Sequence, residues 1–209
     1  MRFSVIMPVC LSPYTWKKRK SAINPSPKFI RAVMSFLQQE FKDAELIIIS
    51  DGCDITKRLY MDLFQDKDNI RFTQIPKQSV FSGVVRQVGI EMAQGELICY
   101  LDHDDFFGEQ HLSIIHENFD TKKYGWVFFR DLLVQNAQDG NYVGVPRPVK
   151  LERSHIGTSM IAHKRSLNVV WGDGLCHDWQ MIEDHLLQHT GLKIPTPAYF
   201  VCHHGNKDF

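Results

Sequence analysis

Three carboxylates fall within four residues at Asp102-His103-Asp104-Asp105, directly after the apolar run Leu97-Ile98-Cys99-Tyr100-Leu101. Core packing requires no such charge density, and neighbouring carboxylates repel one another unless a cation neutralises them. Hard oxygen donors suit Mg²⁺ or Mn²⁺, so the cluster implies a divalent metal. If strand geometry continues through the cluster, Asp102 and Asp104 point the same way, about 7 Å apart at ~3.3 Å rise per residue. Asp105 then faces elsewhere and is available to cap a helix.

Other chemistry-bearing patterns are weaker. His185 and His189 share one helical face at i, i+4, but no third ligand lies nearby, and the pair reads as a polar face. The five cysteines, at 10, 53, 99, 176 and 202, contain no Cys-x-x-Cys and sit largely in or beside apolar runs, as buried reduced thiols do. Neither Gly-x-Gly-x-x-Gly nor Gly-x-x-x-x-Gly-Lys occurs, which removes the usual dinucleotide and P-loop sites.

The elements that must position the acidic cluster alternate along the chain. Phe3 to Pro8 reads as a strand, and the proline-containing segment with Lys17-Lys18-Arg19-Lys20 as a loop. Ser26 is placed to cap a helix with Pro27 at its first position, Phe29, Ile30, Val33, Phe36 and Leu37 forming the apolar face. Leu46 to Ile49 predicts a buried strand ending at the turn Asp51-Gly52, followed by a helix with Ile55, Leu59 and Leu63 on one side. A strand from Ile70 to Ile75, a helix within Val80 to Gln94 and the strand ending at Leu101 complete the series. Such alternation predicts an α/β fold with a mostly parallel sheet, helices on both faces and ligands beyond the carboxyl ends of the strands.

Beyond the helix expected over Glu109 to Phe119 the pattern becomes mixed α+β. Trp126 to Phe129, Leu132 to Val134 and Tyr142 to Val145, with the turn signal Asp139-Gly140, read as hairpin strands. With no repeat and no long linker, residues 1–209 are expected to form one domain whose halves, residues 1–105 and 106–209, differ in pattern.

Lys plus Arg and Asp plus Glu each number 24, so there is no general electrostatic footprint for nucleic acid. No apolar run approaches the ~20 residues that span a bilayer. The N-terminus carries no secretory signal pattern, and a cytoplasmic protein is expected. The basic run Lys17 to Lys20 offers at most a peripheral contact at the inner face of a membrane or with an anionic acceptor.

These residues together resemble glycosyltransferase family 2, inverting enzymes of the GT-A fold that use nucleotide-diphospho-sugar donors. Ser4-Val5-Ile6-Met7-Pro8 is similar to the family's first strand, Glu45 to Asp54 to its Asp-Gly turn, and Asp102-His103-Asp104 to its Asp-x-Asp motif. Gly83 to Ile90 resembles the segment usually written Ala-Arg-Asn-x-Gly, matching at Arg86 and Gly89 and departing at Gln87. Ser50 stands where the family often has another Asp.

The resemblance implies a nucleotide-binding set of Pro8, Asp51, Arg86 and Asp102, and Mn²⁺ or Mg²⁺ at Asp104 with Asp102. A terminal His, either His203 or His204, would join the metal or diphosphate. The stretch His177 to Asp184 resembles the motif carrying the catalytic base, with His177 in place of the usual Glu. Asp178 is favoured because it opens a helix whose buried stripe is Trp179, Ile182 and Leu186; the alternative register selects Asp184.

The implied reaction moves a sugar, most simply from a UDP-linked donor, to a hydroxyl of a saccharide or lipid-linked acceptor, in polysaccharide or glycoconjugate synthesis. The alternatives are a scaffold of the same fold that binds nucleotide sugars without turnover, and a metal-dependent nucleotidyltransferase.

Overall fold

Strands that are apolar on both faces must be covered on both faces, and the central strands here are of that kind. A computed structural model of the chain describes residues 1–12, 15–16, 19–20, 25–78, 81–136 and 142–202. Its first half runs β1 (Phe3–Val9), the short strands β2 (Thr15–Trp16) and β3 (Arg19–Lys20), α1 (Ser26–Leu37), β4 (Ala44–Asp51), α2 (Asp54–Leu63), β5 (Ile70–Ile75), α3 (Gly83–Met92) and β6 (Leu97–Tyr100). There follow β7 (Phe106–Phe107), α4 (His111–Asn118), β8 (Trp126–Phe128), β9 (Leu132–Asn136), β10 (Tyr142–Pro146), β11 (Ile161–Lys164), α5 (His177–Met181), β12 (Gly191–Lys193) and β13 (Tyr199–Val201).

The main sheet has the order β12-β8-β11-β6-β1-β4-β5. β1 pairs in parallel with both β4 and β6, so the chain builds outward through β4 and β5 and then returns to the other side of β1. That reversal is the switch point at which open α/β sheets leave a crevice beyond their strand ends. β11 runs antiparallel between β6 and β8, which makes the sheet mixed at its far side. A smaller sheet, β10-β9-β13-β7, stands beside it.

Alternate residues of each central strand feed two cores. Val5, Met7, Leu46, Ile48, Leu97 and Cys99 face α1, where Phe29, Val33 and Phe36 are buried. Ile6, Ile47, Ile49, Ile98 and Tyr100 face the opposite core, with Val85 of α3 and Met181 of α5. Gly89 lets α3 lie close: a Cβ there would stand 2.5 Å from Ile6 Cγ2 and 2.8 Å from Ile49 Cδ1.

Several local expectations change. Ser26 lies inside α1, whose cap position is Pro25, so the helix starts one residue earlier than the capping pattern predicts. Leu63 is exposed at the end of α2, and Thr56 takes the buried position instead. Trp126–Phe128 does not join the hairpin; it is drawn into the main sheet between β11 and β12, while β9 and β10 pair antiparallel as expected. The turn signal Asp139-Gly140 and part of the basic run lie outside the described residues.

The smaller sheet is tied to the larger through His111 at the start of α4, whose ring meets Phe129, just past β8, edge-on at 5.8 Å between centroids. Its ring stacks on Phe107 at 3.8 Å between centroids, and Nδ1 donates to the Pro197 carbonyl at 2.6 Å. Burial pulls the imidazole down to about 3, the hydrogen bond to Pro197 opposing this only in part. A folded-state value below the ordinary 6.5 means that the unfolded chain takes up the proton first. This contribution is therefore complete above about pH 6.5 and declines as pH falls from there. Urea midpoints measured from pH 7 to pH 4.5 should fall, and His111→Gln, which keeps a donor but does not titrate, should flatten part of that slope.

Candidate active site

The strand ending at Tyr100 does not continue through the acidic cluster. Asp105 N–H donates to the Asp102 carbonyl at 3.1 Å, closing a turn over residues 102–105. The extended spacing expected for Asp102 and Asp104 is thereby replaced by a turn, because the chain must leave the sheet to reach β7. Asp105 caps no helix. It is buried, accepting Tyr199 Oη–H at 3.1 Å and Cys202 N–H at 2.8 Å. Burial first, then Asp104 and Asp102, push its carboxyl well above the usual range.

Asp102 and Asp104 face a cavity of about 490 Å³ at the switch point. Asp178, in the first turn of α5, enters the same cavity beside the segment Gly157 to Ser159. Asp184, the alternative base, is exposed on the following turn. Of the buried stripe expected behind Asp178, Ile182 and Leu186 are buried whereas Trp179 is half-buried, and Met181 completes the apolar contact.

Arg86 connects the two sides. It projects from α3 beneath the cavity, 3% exposed, with Nη2 2.6 Å from Asp102 Oδ1 and Nη1 3.8 Å from Asp178 Oδ1. Burial opposes its charge, but Asp102 and Asp178 outweigh that and hold it above its ordinary value. The guanidinium lies 5.2 Å from the Trp171 ring centroid, and the Trp171 N–H is fixed by Gln87 Oε1 at 2.9 Å. Gln87, the departure from the family pattern, therefore holds the backbone that floors Arg86. Gly83 permits the approach, since a Cβ there would lie 1.9 Å from the Gly172 carbonyl oxygen.

Of the residues expected on the nucleotide side, Asp102 lines this cavity while Pro8 and Asp51 stand apart from it. Pro8 is buried within β1 in register with Ile49. Asp51 ends β4 with both oxygens engaged, one by Lys77 Nζ and the other by Gln78 N–H at 2.6 Å. Ser50 ties the same turn, accepting Cys53 N–H at 3.3 Å and donating to the Cys53 carbonyl at 3.0 Å. Arg86 lies beneath the wall and not on it. His203 and His204 lie outside the described residues.

Sequence reasoning passed over the far wall. Asp131 is fully buried and takes Arg147 Nε at 2.6 Å on one oxygen, with Arg147 Nη2 and the Ser159 hydroxyl on the other. Ser159 thereby anchors the turn whose Thr158 N–H faces Asp178 and helps to lower its carboxyl. The only local signal was the small polar run Gly157-Thr158-Ser159; Asp131 and Arg147 meet across sixteen residues with no periodicity to mark them.

The donor set fits a divalent cation of one kind. Among the described residues no three His, Cys, Asp or Glu side chains converge to cage an ion. Asp102 and Asp104 are hard oxygen donors on the cavity wall, and their negative charge helps to raise the neighbouring Asp105 carboxyl. Mg²⁺ and similar ions are commonly held by one or two carboxylates and completed by substrate phosphates.

Fold and site together define a GT-A transferase architecture, and the family model "Glycosyl transferase family 2" matches residues 21–167. The chain belongs to that family. TarP of Staphylococcus aureus, a poly(ribitol-phosphate) beta-N-acetylglucosaminyltransferase, is 30% identical over 139 residues, 63% of this chain and 41% of TarP. The crystal structure of S. aureus TarS 1–349 with UDP-GlcNAc superposes at a TM-score of 0.74 and 18% identity, covering 99% of this chain and 60% of that one. A mannosyltransferase of Pyrobaculum calidifontis in complex with GDP-Man and Mn²⁺ gives a TM-score of 0.68 at 12% identity, covering 98% of this chain and 58% of that one. This chain thus spans less than two thirds of these relatives. No helix among the described residues is long and apolar enough to cross a membrane.

Removing Arg86 leaves two carboxylates facing each other across an apolar floor. Arg86→Ala should lower stability by about 2–3 kcal/mol, less than for a fully buried pair because Asp102 and Asp178 are each 33–34% exposed on their side chains. A urea midpoint equal to wild type would show that the pair contributes nothing.

Proposed function

We propose that the chain is an inverting glycosyltransferase that moves a sugar from a nucleotide-diphospho-sugar, UDP-linked, to an acceptor hydroxyl. The observation that carries this reading is the meeting of Asp102 and Asp104 with Asp178 in one cavity. Two carboxylates suited to a metal-bound diphosphate and a third suited to proton abstraction are the parts that sugar transfer needs.

In this reading the donor lies across the strand ends, its diphosphate toward Asp104 and Asp102. Those two residues would hold Mn²⁺ or Mg²⁺, which when bound neutralises charge on the leaving nucleoside diphosphate. Arg86 fixes Asp102 from below. Asp178 accepts the proton of the acceptor hydroxyl as its oxygen attacks the anomeric carbon from the face opposite the leaving group, inverting that centre. The bond to the diphosphate oxygen breaks with its electron pair leaving on the nucleotide.

Asp51 and Pro8 would serve the nucleoside side. For Asp51 this requires a base or ribose either to share its oxygens with Lys77 and Gln78 or to displace one of them, since both are engaged. The names of TarP and TarS, the UDP-GlcNAc of the TarS complex, and the GDP-Man and Mn²⁺ of the mannosyltransferase complex support a nucleotide-sugar donor, a divalent metal and a role in polysaccharide or glycoconjugate synthesis.

Calorimetric titration with UDP and GDP, each with and without Mn²⁺, tests the donor side. UDP should bind with Mn²⁺ and lose that dependence in Asp104→Ala. Asp178→Asn should keep donor affinity and lose about 10²- to 10⁴-fold in transfer rate. Equal losses of donor binding in both variants would overturn the roles, and full activity of Asp178→Asn beside an inactive Asp184→Asn would move the base to Asp184.

A further inference from the structure

The residue before the base is a histidine, and its ring is placed to act on that base. His177 Nδ1 lies 2.5 Å from Asp178 Oδ1, and the His177 side chain is 12% exposed. Both atoms are buried, and neither makes a well-aligned hydrogen bond to any other group. A ring nitrogen this close to a carboxylate oxygen is attracted to it only as a donor, so the contact is that of Nδ1–H facing Oδ1. The ring is held edge-on by Trp171 at 5.6 Å and Phe81 at 6.0 Å between centroids, and a Cβ on Gly83 would sit 3.6 Å from its own Cβ.

The other oxygen of Asp178 is differently placed. Oδ2 lies 3.4 Å from where a Cβ on Gly157 would stand, beside the cavity that Gly157 and Asp178 both line. We propose that His177 is a positioning residue for the base: its Nδ1–H pins Oδ1 so that Oδ2 alone is presented to the acceptor hydroxyl. This rests on the reading of Asp178 as the base.

A pinned carboxylate keeps one geometry through the approach of the acceptor, and errors of about 1 Å at such a group lower rates by about 100-fold. The same contact sets its charge. Burial pushes the Asp178 carboxyl up, but the His177 hydrogen bond, Arg86 and the Thr158 N–H together hold it below the ordinary carboxylate value. The charged and titratable groups facing it are His177 on α5, Arg86 from α3, Tyr100 from β6 and, through Arg86, Asp102. With Arg86 in place, the imidazole is the group on its own helix that favours the ionised form.

The test separates donor from ring. Asn places its Nδ2 where His places Nδ1, one bond from Cγ, so His177→Asn keeps the hydrogen bond and His177→Ala deletes it. Carbon-13 titration of the Asp178 carboxyl, assigned by its loss in Asp178→Asn, needs no turnover. It should move to higher pH in His177→Ala and stay low in His177→Asn. UDP release from UDP-N-acetylglucosamine should fall roughly 10- to 100-fold in kcat for His177→Ala, with KM unchanged, its acid limb displaced upward, and recover in His177→Asn.

An unmoved Asp178 titration with unchanged kcat in a folded His177→Ala would overturn the proposal. So would a His177→Asn as impaired as the alanine variant at equal melting temperature. Full turnover by Asp178→Asn, with the titration behaving as expected, would instead remove the base assignment and leave the hydrogen bond standing.

Discussion

A buried guanidinium between two carboxylates is the interaction on which the site depends. Arg86 belongs to α3, Asp102 to the turn after β6 and Asp178 to the start of α5. Those elements are far apart in sequence and lie on different parts of the fold. Coulomb attraction inside an apolar surround is strong, but the desolvation of all three groups is of comparable size, so the arrangement is better read as a specification of geometry than as a source of net stability. Every close approach around it follows: Gly83 against Gly172, Gln87 on the Trp171 backbone, and Trp171 under the guanidinium.

The sheet makes that convergence possible. Because β6 returns to the side of β1 opposite β4, with antiparallel β11 rather than another parallel strand as its outer neighbour, its end opens at the switch point. The antiparallel β11 then closes the far side of β6, and the segment leading into it carries Gly157, Thr158 and Ser159 to the cavity. Asp131, held under that wall, supplies both the fork for Arg147 and the acceptor for Ser159, so the second sheet and the main sheet share one buried anion.

Much of this was legible in residue order. The parallel strands and their helices follow from apolar runs of four to eight residues, and the acidic cluster stands out because no core needs it. The placement of Asp178 in the first helical turn and of Asp184 off the stripe of Ile182 and Leu186, where it is exposed, could also be read from helical spacing. What could not be read were contacts that carry no period. The turn at residues 102–105 depends on where β7 must go, Trp126–Phe128 was claimed by a non-local partner, and Asp131 with Arg147 is a pairing across two strands. The burial of Arg86 was likewise invisible, since an arginine in a helix is ordinarily solvated and only the neighbouring glycines hint at close packing.

The balance of charge at Asp178 shows how the proposed base could sit beside a guanidinium and a ring N–H and still serve. Arg86 and the His177 donor lower its affinity for a proton, which by itself weakens it as a base. They also keep it ionised where desolvation alone would protonate it, and a protonated carboxyl accepts nothing. In the proposed reading a bound donor would add two phosphate charges, and Asp102 would then be shared between Arg86 and whatever holds those phosphates. Loosening of the Arg86–Asp102 pair would leave more of the guanidinium for Asp178, so the proposed base and diphosphate site would be linked through one side chain. A dipeptide of two acids at 177 and 178 would oppose that ionisation; the imidazole here supports it, and the shared guanidinium makes the two halves of the cavity respond together.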